Sequence, residues 1–491
     1  MRRELKVLFA AVALVILTAF ITPVRRDLTV GDEAKYGHVV REMHASGAWF
    51  LPTLNGVPFT HKPPLHFWLI DLLTYALGVY SMWAFVLPSL AAFLFLLWIV
   101  WRMGGPLAAF VCGTSLMIWV SAQTARMDVS FTAFLTLAIW MLQKFLDDGD
   151  RRALLWCGVW LGIATLIKGP MAPVIAIALF LFECWRRHRV PRANYWPAVA
   201  AMILIPLAWF VPAMLLCGSA YTHEVIVKQT VGRAIASWVH RAPPWYYLLH
   251  LPGVAFPWFF VALVALRKAN RFYLTWIAAV LAPYSLMSSK LDVYMMALIP
   301  PVALMCSAGV SPAGPPASRR PLQIANIATL IILVLGAIAI PFIRSPYATS
   351  LHGFAMVLGA TALIAIVVSL RGAFASTIAL GMTPIIAFTY AALTLMPLLN
   401  DAASTRPLIT ALQKQNVPSE QIALYSAPYL WSRDFPRALE HVRYVDADNI
   451  DDPTVIATSR AHANEIATTL QRYRHVDQLQ MIGKWFDVYR K

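Results

Sequence analysis

Long apolar runs separated by short polar connections dominate the chain. About 20 apolar residues in a helix cross the roughly 30 Å of hydrocarbon in a bilayer, and thirteen runs come close to that length. They lie at residues 7–23, 82–101, 105–123, 129–146, 153–167, 171–184, 197–217, 247–266, 272–287, 293–310, 322–343, 352–370 and 375–397. The runs at 153–167 and 171–184 are short, so the Lys168-Gly169-Pro170 break between them could lie inside one bent element. The pattern predicts an all-α polytopic membrane protein with about 13 transmembrane helices.

Two longer polar pieces interrupt this pattern, a loop at residues 24–81 and a tail at residues 398–491. In the tail, short runs of strand-forming residues alternate with turn residues, which is typical of small α/β domains. The predicted strands are 422–425, 442–445, 454–458, 478–482 and 486–489, and the predicted helix is 461–473. We therefore expect a transmembrane domain at 1–397, with surface helices in its loop, and an α/β domain at 398–491.

The composition agrees with a membrane protein, because 59% of the residues are hydrophobic and only 13% are charged, about half the charge of a soluble chain. The net charge is +16. Sixteen Lys and Arg residues lie in seven short connections, at 1–6, 102, 147–152, 185–196, 267–271, 311–321 and 371. The positive-inside rule then predicts a cytoplasmic N-terminus, with the loop and the tail outside. The excess charge is thus a topology signal and does not indicate nucleic acid.

The first outer loop contains the densest group of charges outside the tail. Asp32 and Glu33 follow Gly31, and Tyr36 stands one turn further along a predicted surface helix. An Asp at such a boundary can cap free amides, which is the structural alternative to a catalytic role. Lys62 precedes two prolines, and a residue before proline is held extended. A rigidly presented ammonium suits a phosphate-bearing substrate, and a solvated interfacial lysine is the alternative.

Several short motifs occur in order over residues 30–301. They are Asp32-Glu33-x-x-Tyr36, Gly47-x-Trp49-x-x-Pro52, Asn55-Gly56, Lys62-Pro63-Pro64-Leu65-x-x-Trp68, Arg126-x-Asp128, Gly162-x-x-Thr165-x-x-Lys168-Gly169-Pro170, Pro244-Trp245-Tyr246-Tyr247, Pro257-Trp258, and Ser289-Lys290-x-x-x-Tyr294 before Pro300. Each motif is weak by itself. The ordered set resembles the polyprenyl-phosphate-dependent glycosyltransferases with the GT-C fold, and is most similar to the aminoarabinose lipid A transferases within the wider protein O-mannosyltransferase-like group.

The resemblance implies an inverting glycosyltransferase in a bacterial inner membrane. Its donor would be a sugar on polyprenyl (undecaprenyl) phosphate, and its acceptor would be lipid A or a related outer-leaflet glycolipid at the periplasmic face. The acceptor oxygen would attack the anomeric carbon and displace the lipid phosphate. Fixed cations would stabilise the charge that develops on that phosphate.

The resemblance also implies roles for individual residues. The catalytic residues would be Asp32, Asp128 and Glu33. Asp32 would orient or deprotonate the acceptor, and Asp128 matches the second acidic position of the family. Substrate-binding roles fall to Lys62, Tyr36, Lys168, Arg126, Lys290, Tyr294, Tyr247 and Arg233. The structural alternatives are an Arg126–Asp128 pair at a helix start, lysines that snorkel to headgroups, and aromatic side chains that only anchor the interface.

One departure from the aminoarabinose transferases concerns a metal. His61 stands where those enzymes usually have an acidic residue before the Lys-Pro-Pro unit, an acid that has been associated with a bound metal. His61 with His223 or His240 could ligate a divalent cation, while a solvated or hydrogen-bonded histidine is the alternative. The departure leaves the metal, the sugar and the acceptor open.

Three other functions compete with transfer to a glycolipid. A protein hydroxyl could be the acceptor, as in protein O-glycosyltransferases. A lipid or sugar transporter would carry mid-membrane ionisable groups and repeated halves, and the sequence has no internal repeat or mid-span carboxylate pair. A scaffold would use the tail to recruit partners. Membrane lipids are expected partners in every case.

Overall fold

The computed structural model describes residues 2–232, 240–310, 316–433, 435–481 and 483–491. The chain forms two compact units. The helical unit consists of Met1–Thr22, Thr60–His66 and Pro88–Ala391. The sheet unit consists of Pro23–Phe59, Phe67–Leu87 and Ala392–Lys491.

Helices account for most of the described chain. In order they are α1 Arg2–Ile21, α2 Asp32–Ser46, α3 Leu65–Leu77, α4 Met82–Gly104, α5 Pro106–Gly113, α6 Leu116–Ala122, α7 Asp128–Asp148, α8 Arg151–Lys168, α9 Met171–Arg187, α10 Trp196–His223, α11 Tyr246–Val254, α12 Phe259–Ala265, α13 Arg271–Leu286, α14 Ile299–Val310, α15 Pro316–Ala339, α16 Ala348–Ser369, α17 Ala373–Thr394, α18 Met396–Ala403, α19 Arg406–Gln413 and α20 Ala467–Leu470. A π-helical turn, Glu224–Gly232, extends α10, and a 3₁₀ segment, Asp292–Leu298, leads into α14. The predominantly helical architecture that the hydropathy pattern predicts is confirmed.

Eight helical segments of the described chain are long and apolar enough to cross a membrane. They are Glu4–Ile21, Met82–Gly104, Asp128–Asp148, Trp196–Thr230, Asp292–Val310, Arg319–Phe342, Ala348–Ser369 and Ala373–Thr394. A ninth is possible if the pair Tyr246–Val254 and Phe259–Lys268, which is bent by 105°, counts as one span. The four other predicted runs are helical but short or broken, as α5 with α6, α8, α9 and α13. The Gly169-Pro170 break separates α8 from α9.

Small residues bring α8 and α10 into close contact in the helical unit. A Cβ atom on Gly158 would lie 2.1 Å from the carbonyl oxygen of Ala198, and one on Gly162 would lie 3.0 Å from that of Ala201. Within lipid there is little hydrophobic driving force between helices, so close backbone approach through a Gly-x-x-x-Gly pair is a common way to hold them. The sequence Gly158-Val-Trp-Leu-Gly162 therefore fixes the position of the helix that carries Lys168 at its end.

The sheet unit contains the predicted small α/β fold. Its strands are β1 Thr53–Leu54, β2 Val57–Pro58, β3 Ile422–Tyr425, β4 Arg443–Val445, β5 Val455–Ser459, β6 Arg474–Met481 and β7 Lys484–Arg490. The main sheet has the order β4-β3-β5-β7-β6. β3 pairs in parallel with β4 and β5, while β7 is antiparallel to both β5 and β6. The five strands agree with the predicted ones within a few residues, whereas the predicted helix is a 3₁₀ segment, Arg460–Ile466, followed by α20.

The same unit joins the loop at residues 24–81 to the tail. Asp27 is fully buried and pairs with Arg406 at the start of α19, and its amide donates to the Asn400 side chain at 3.0 Å. Arg433 donates to the backbone carbonyl of Arg26 at 2.9 Å. The segment before α2 is therefore held by contacts to residues almost four hundred positions later.

A substitution tests the close contact of α8 with α10. Gly158→Ile places a side chain against the Ala198 carbonyl, which cannot yield without separating the helices, and we expect a loss of about 3 kcal/mol. Gly336→Ile in α15 is the matched control, because nothing lies within 4 Å of its Cβ position. Thermal unfolding of the purified full chain measures both, and equal melting temperatures would contradict the proposed packing role.

Candidate functional site

A buried carboxylate at the start of α7 organises the polar cluster of the helical unit. Asp128 is the first residue of α7 and its side chain is 4% exposed. The Arg126 Nε donates to one carboxylate oxygen at 3.0 Å, and the Lys168 ammonium, at the last residue of α8, donates to the other. A buried charge is tolerated only when it is paired and hydrogen-bonded. The helix dipole at the start of α7 adds to this stabilisation.

Aromatic rings continue this cluster. The Lys168 ammonium lies 4.9 Å from the centre of the Tyr294 ring and 5.4 Å from that of Phe131. Tyr294 in turn stacks on Tyr284, with 5.2 Å between ring centres. A cation held against ring faces is attracted by their negative quadrupole. Four predicted site residues, Arg126, Asp128, Lys168 and Tyr294, are therefore assembled at one place.

Lys290 and Tyr247 form a second group in the helical unit. The Lys290 ammonium donates to the backbone carbonyls of Ser285 at 3.0 Å, of Tyr284 at 3.3 Å and of Met287. These are the free carbonyls at the end of α13, so Lys290 caps that helix. Burial lowers the pKa of Lys290.

Tyr247 lies beside this capping lysine. Its buried ring is 5.7 Å from the Lys290 ammonium, and its hydroxyl accepts the Leu291 amide at 3.3 Å. A cavity of about 440 Å³ opens next to Lys290 and also contacts Arg241. Two cations thus border one concave space, which suits an anionic ligand.

The Lys62 segment also belongs to the helical unit. Lys62 lies outside regular helix, before Pro63, as the sequence predicts, and is partly exposed. His66, one turn later, is fully buried and electrostatically coupled to Asp128. Burial lowers the pKa of His66 to about 4, so the ring is neutral near pH 7. His66 was not among the residues selected from the sequence. Its position at the start of the helix that follows the two prolines was the one feature that could have indicated a place near Lys62.

The histidines proposed as metal ligands do not form a preformed site. His223 and His240 are exposed, and His61 is partly buried. Among the residues that the structure describes, no group of three or more His, Cys, Asp or Glu side chains could hold a metal ion. A metal with three protein ligands of these types therefore does not fit the described arrangement.

The first acidic motif lies in the sheet unit. Asp32 is the first residue of α2 and Gly31 is its N-cap, so Asp32 does not occupy the cap position itself. Glu33 is buried and forms a two-point ion pair with Arg26 at 2.7 Å, and also accepts the Thr29 hydroxyl at 2.7 Å. Glu33 thus holds the loop that precedes α2, while Asp32 remains partly exposed.

Two buried residues set the position of α2. Tyr36 packs edge-to-face on Phe67, with ring centres 5.3 Å apart. A Cβ atom on Gly37 would lie 2.7 Å from the Trp431 ring. Tyr36 is therefore placed within the packing of the sheet unit, next to the helix face that meets the tail.

A polar cavity of about 700 Å³ also lies in the sheet unit. Its walls combine aromatic rings with ionisable groups, and include His38, Arg41, Glu42, Tyr80, Glu440 and Tyr444. Burial alone would raise the pKa of Glu42, but hydrogen bonds from His38, Thr53 and the Gly56 amide outweigh it and lower the pKa to about 2. Glu42 is therefore a fixed anion at neutral pH. No motif in the sequence pointed to this cavity, because β4 and α2 are far apart in the chain.

Arg233, another predicted phosphate ligand, lies outside the described residues. The other predicted ligands fall into the groups above. Asp32, Glu33 and Tyr36 belong to the sheet unit, whereas Lys62, Arg126, Asp128, Lys168, Tyr247, Lys290 and Tyr294 belong to the helical unit.

Known proteins similar to this chain were found in three comparisons. A family model described as dolichyl-phosphate-mannose-protein mannosyltransferase matches residues 61–215. The undecaprenyl phosphate-α-4-amino-4-deoxy-L-arabinose arabinosyl transferase 2 of Sodalis glossinidius is 26% identical over 354 residues, 67% of this chain and 63% of the relative. The corresponding transferase of Pseudomonas aeruginosa is 28% identical over 304 residues, 57% of this chain and 55% of the relative. The matches thus span less than two thirds of these relatives' lengths.

The fold has a neighbour that is matched over nearly its whole length. The crystal structure of ArnT from Cupriavidus metallidurans bound to undecaprenyl phosphate superposes with a TM-score of 0.79 at 19% identity, and covers 98% of this chain and 97% of its own. The apo structure of the same protein gives a TM-score of 0.75. The resemblance predicted from the motifs is therefore confirmed: the chain has the GT-C fold of the polyprenyl-phosphate-dependent glycosyltransferases and is similar in sequence and in fold to the aminoarabinose transferases among them.

Proposed function

We propose that this protein is an inverting glycosyltransferase that moves a sugar from polyprenyl phosphate to lipid A or a related glycolipid. The observation that carries this proposal is the cluster of Asp128 with Arg126 and Lys168, placed where helices end, in a fold whose structural neighbour binds undecaprenyl phosphate. Such a position lets the sugar phosphate reach polar groups while the prenyl tail stays in hydrocarbon. An aminopentose is the first sugar to test, because the similar transferases carry that sugar in their names.

The reaction breaks the bond between the anomeric carbon and the phosphate oxygen of the donor. As that bond breaks, negative charge grows on the leaving phosphate, and fixed cations stabilise this state more than the ground state. Lys62, Lys168 and Arg126 are the proposed cations, with Arg233 and Lys290 as further candidates. The Lys290 ammonium also caps α13, so besides its candidate role at the phosphate it would hold the wall of the cavity beside Arg241.

Asp32 is the proposed partner of the acceptor. If the attacking group is a phosphate monoester of lipid A, its oxygen is already anionic and Asp32 orients it. If the group is a hydroxyl, Asp32 takes its proton as the new bond forms. Asp128 then keeps Lys168 in place for the donor, Glu33 fixes the loop that carries Asp32, and Tyr36, Tyr247 and Tyr294 shape the walls.

A protein hydroxyl is the second candidate acceptor. The observation that favours it is the match of residues 61–215 to the protein mannosyltransferase model. The polar cavity of the sheet unit, with Tyr80 and Tyr444 in its walls, favours the glycolipid instead, because sugar rings pack on aromatic faces while their hydroxyls bond to charged groups. Lipid A therefore stays the first choice.

We also propose the topology that these roles require. The thirteen predicted runs would all cross the inner membrane, the short ones as the bent or broken helices α5 with α6, α8, α9, α11 with α12, and α13. The N-terminus would lie in the cytoplasm. The domain at 398–491 and the loop at 24–81 would lie in the periplasm.

A conservative substitution tests the role of Asp32. Asp32→Asn keeps the shape of the side chain but removes its charge, and we expect turnover to fall by at least about a hundredfold. The assay measures polyprenyl phosphate released from a polyprenyl-phosphate sugar by the full chain in nanodiscs with lipid A present. The control is Asp148→Asn, which makes the same change at an exposed carboxylate at the other end of α7. Unchanged turnover in Asp32→Asn would contradict the assigned role, and release that depends on an acceptor peptide instead of lipid A would favour the second candidate.

A pair of substitutions separates the structural and catalytic roles of Lys168. Lys168→Met leaves the Asp128 carboxylate buried with only Arg126, and we expect a loss of about 3 kcal/mol in stability. Adding Asp128→Asn removes the buried charge, so most of the stability returns. Turnover stays low in the double variant if Lys168 stabilises the leaving phosphate. Recovery of both stability and turnover would show that the pair is only structural.

Labelling of single cysteines tests the topology. In a Cys217→Ser background, where the other native thiols are buried, we expect Lys484→Cys to react with a membrane-impermeant maleimide in intact spheroplasts. Lys268→Cys should react only after the membrane is opened. The reverse pattern would place the tail in the cytoplasm and overturn the proposed orientation.

A further inference from the structure

A large cavity lies in the helical unit away from the polar cluster described above. It measures about 1080 Å³ and is enclosed by α1, α15, α16, α17 and the end of α14. One end of the cavity is polar. It is lined by Arg319 and Arg320 near the start of α15, by Arg371 in the link between α16 and α17, and by one acidic residue, Glu4 of α1. The polar end is therefore net cationic.

The rest of the cavity is apolar. Ile378, Met382 and Ile386 of α17 line it at intervals of four residues, so they stand on one face of that helix and extend over about 12 Å of its axis. Ile364 and Val368 of α16 face the same space. Ile364 is 64% exposed and Ile386 is 40% exposed, so the cavity is open along its side. In a membrane, that opening faces hydrocarbon.

One helical segment relates this cavity to the candidate active site. The segment Asp292–Val310 is long and apolar enough to cross a membrane. Tyr294 near its beginning contacts Lys168, whereas Val310 at its end lines the cavity. The two places are therefore separated by a length of helix close to the thickness of a bilayer, roughly 28 Å. The arginine cluster thus faces the leaflet opposite to the one that the Asp128 cluster faces.

We propose that this cavity binds one anionic phospholipid, such as phosphatidylglycerol or cardiolipin, from that opposite leaflet. Planar guanidinium groups bond to phosphate oxygens at two points, and basic pockets between transmembrane helices are a recurrent site for anionic headgroups. The acyl chains lie along α16 and α17. A free anion would leave the apolar wall without a contact. A lipid with a zwitterionic headgroup would place its own cation among three arginines, which is electrostatically unfavourable.

The bound lipid has a structural consequence for the last spans. It connects α15, α16 and α17 through their charged ends, where Arg319, Arg320 and Arg371 carry charge of the same sign and an anionic headgroup offsets it. The site is independent of the proposed sugar transfer, because Asp128 and Lys168 lie at the other end of the segment Asp292–Val310.

Lipid retention in native mass spectrometry tests the proposal. The full chain is reconstituted in nanodiscs of phosphatidylethanolamine, phosphatidylglycerol and cardiolipin, released in mild detergent and weighed with its bound lipids. We expect one anionic phospholipid to remain bound, and the double variant Arg320→Ala/Arg371→Ala to bind it about thirtyfold more weakly, since each arginine contributes about 1 kcal/mol. The control Arg267→Ala/Lys268→Ala removes two exposed cations that do not line the cavity, and retains the lipid.

A second variant leaves every charge in place. Ala379→Phe fills the apolar wall, and we expect it to lose the lipid as well, so the proposal stays testable if the arginine variant folds poorly. Equal retention in all variants overturns the proposal, as does equal retention of phosphatidylethanolamine. Displacement by inorganic phosphate at the concentration that matches the phospholipid would indicate an anion site without a lipid, and preferential displacement by added undecaprenyl phosphate would assign the cavity to the carrier lipid.

Discussion

The buried ion pair between Asp128 and Lys168 is the interaction on which the helical unit depends most. A carboxylate at the start of an apolar helix must be neutralised, because an isolated buried charge costs far more than any packing contact returns. Neutralisation by Lys168 brings the end of α8 to the start of α7, and the Gly158 contact with α10 fixes α8 laterally. Tyr294 then covers the ammonium. One electrostatic requirement thus positions residues from three separate stretches of the chain.

The sheet unit also contains buried carboxylates that are neutralised by arginines. Asp27 is fully buried and is paired with Arg406, and Glu33 is buried and paired with Arg26. These two pairs hold the segment that leads into α2, so Asp32 stands on a backbone fixed from both sides. A catalytic or binding group gains precision when the residues around it are already held. The tail therefore helps to hold the segment that carries the first acidic motif. This is a structural role within the chain, and it differs from the recruitment of partners that a scaffold would perform.

Two sets of charged residues in the helical unit differ in their surroundings. Asp128, Lys168 and Lys290 are buried or nearly so, and each is satisfied by protein groups. Arg319, Arg320 and Arg371 border an open, apolar cavity at the other end of the segment Asp292–Val310. The first set suits chemistry that needs rigid cations, whereas the second suits a ligand supplied by the membrane itself.

The sequence by itself determined the elements and much of the chemistry. Hydropathy located every long helix, strand patterning located the five strands of the tail, and the Lys62-Pro63-Pro64 unit predicted a non-helical lysine, because these features depend on local periodicity and backbone restriction. The pairing of Arg126 with Asp128 was also visible, since only Met127 stands between them in the sequence. Only the tertiary structure joined Lys168 to Asp128 and Asp27 to Arg406. It also placed the arginines of α15 and of the link between α16 and α17 around one cavity. Those contacts arise from the packing of distant segments, where burial of charge selects the partners, and no local pattern records which segments will meet.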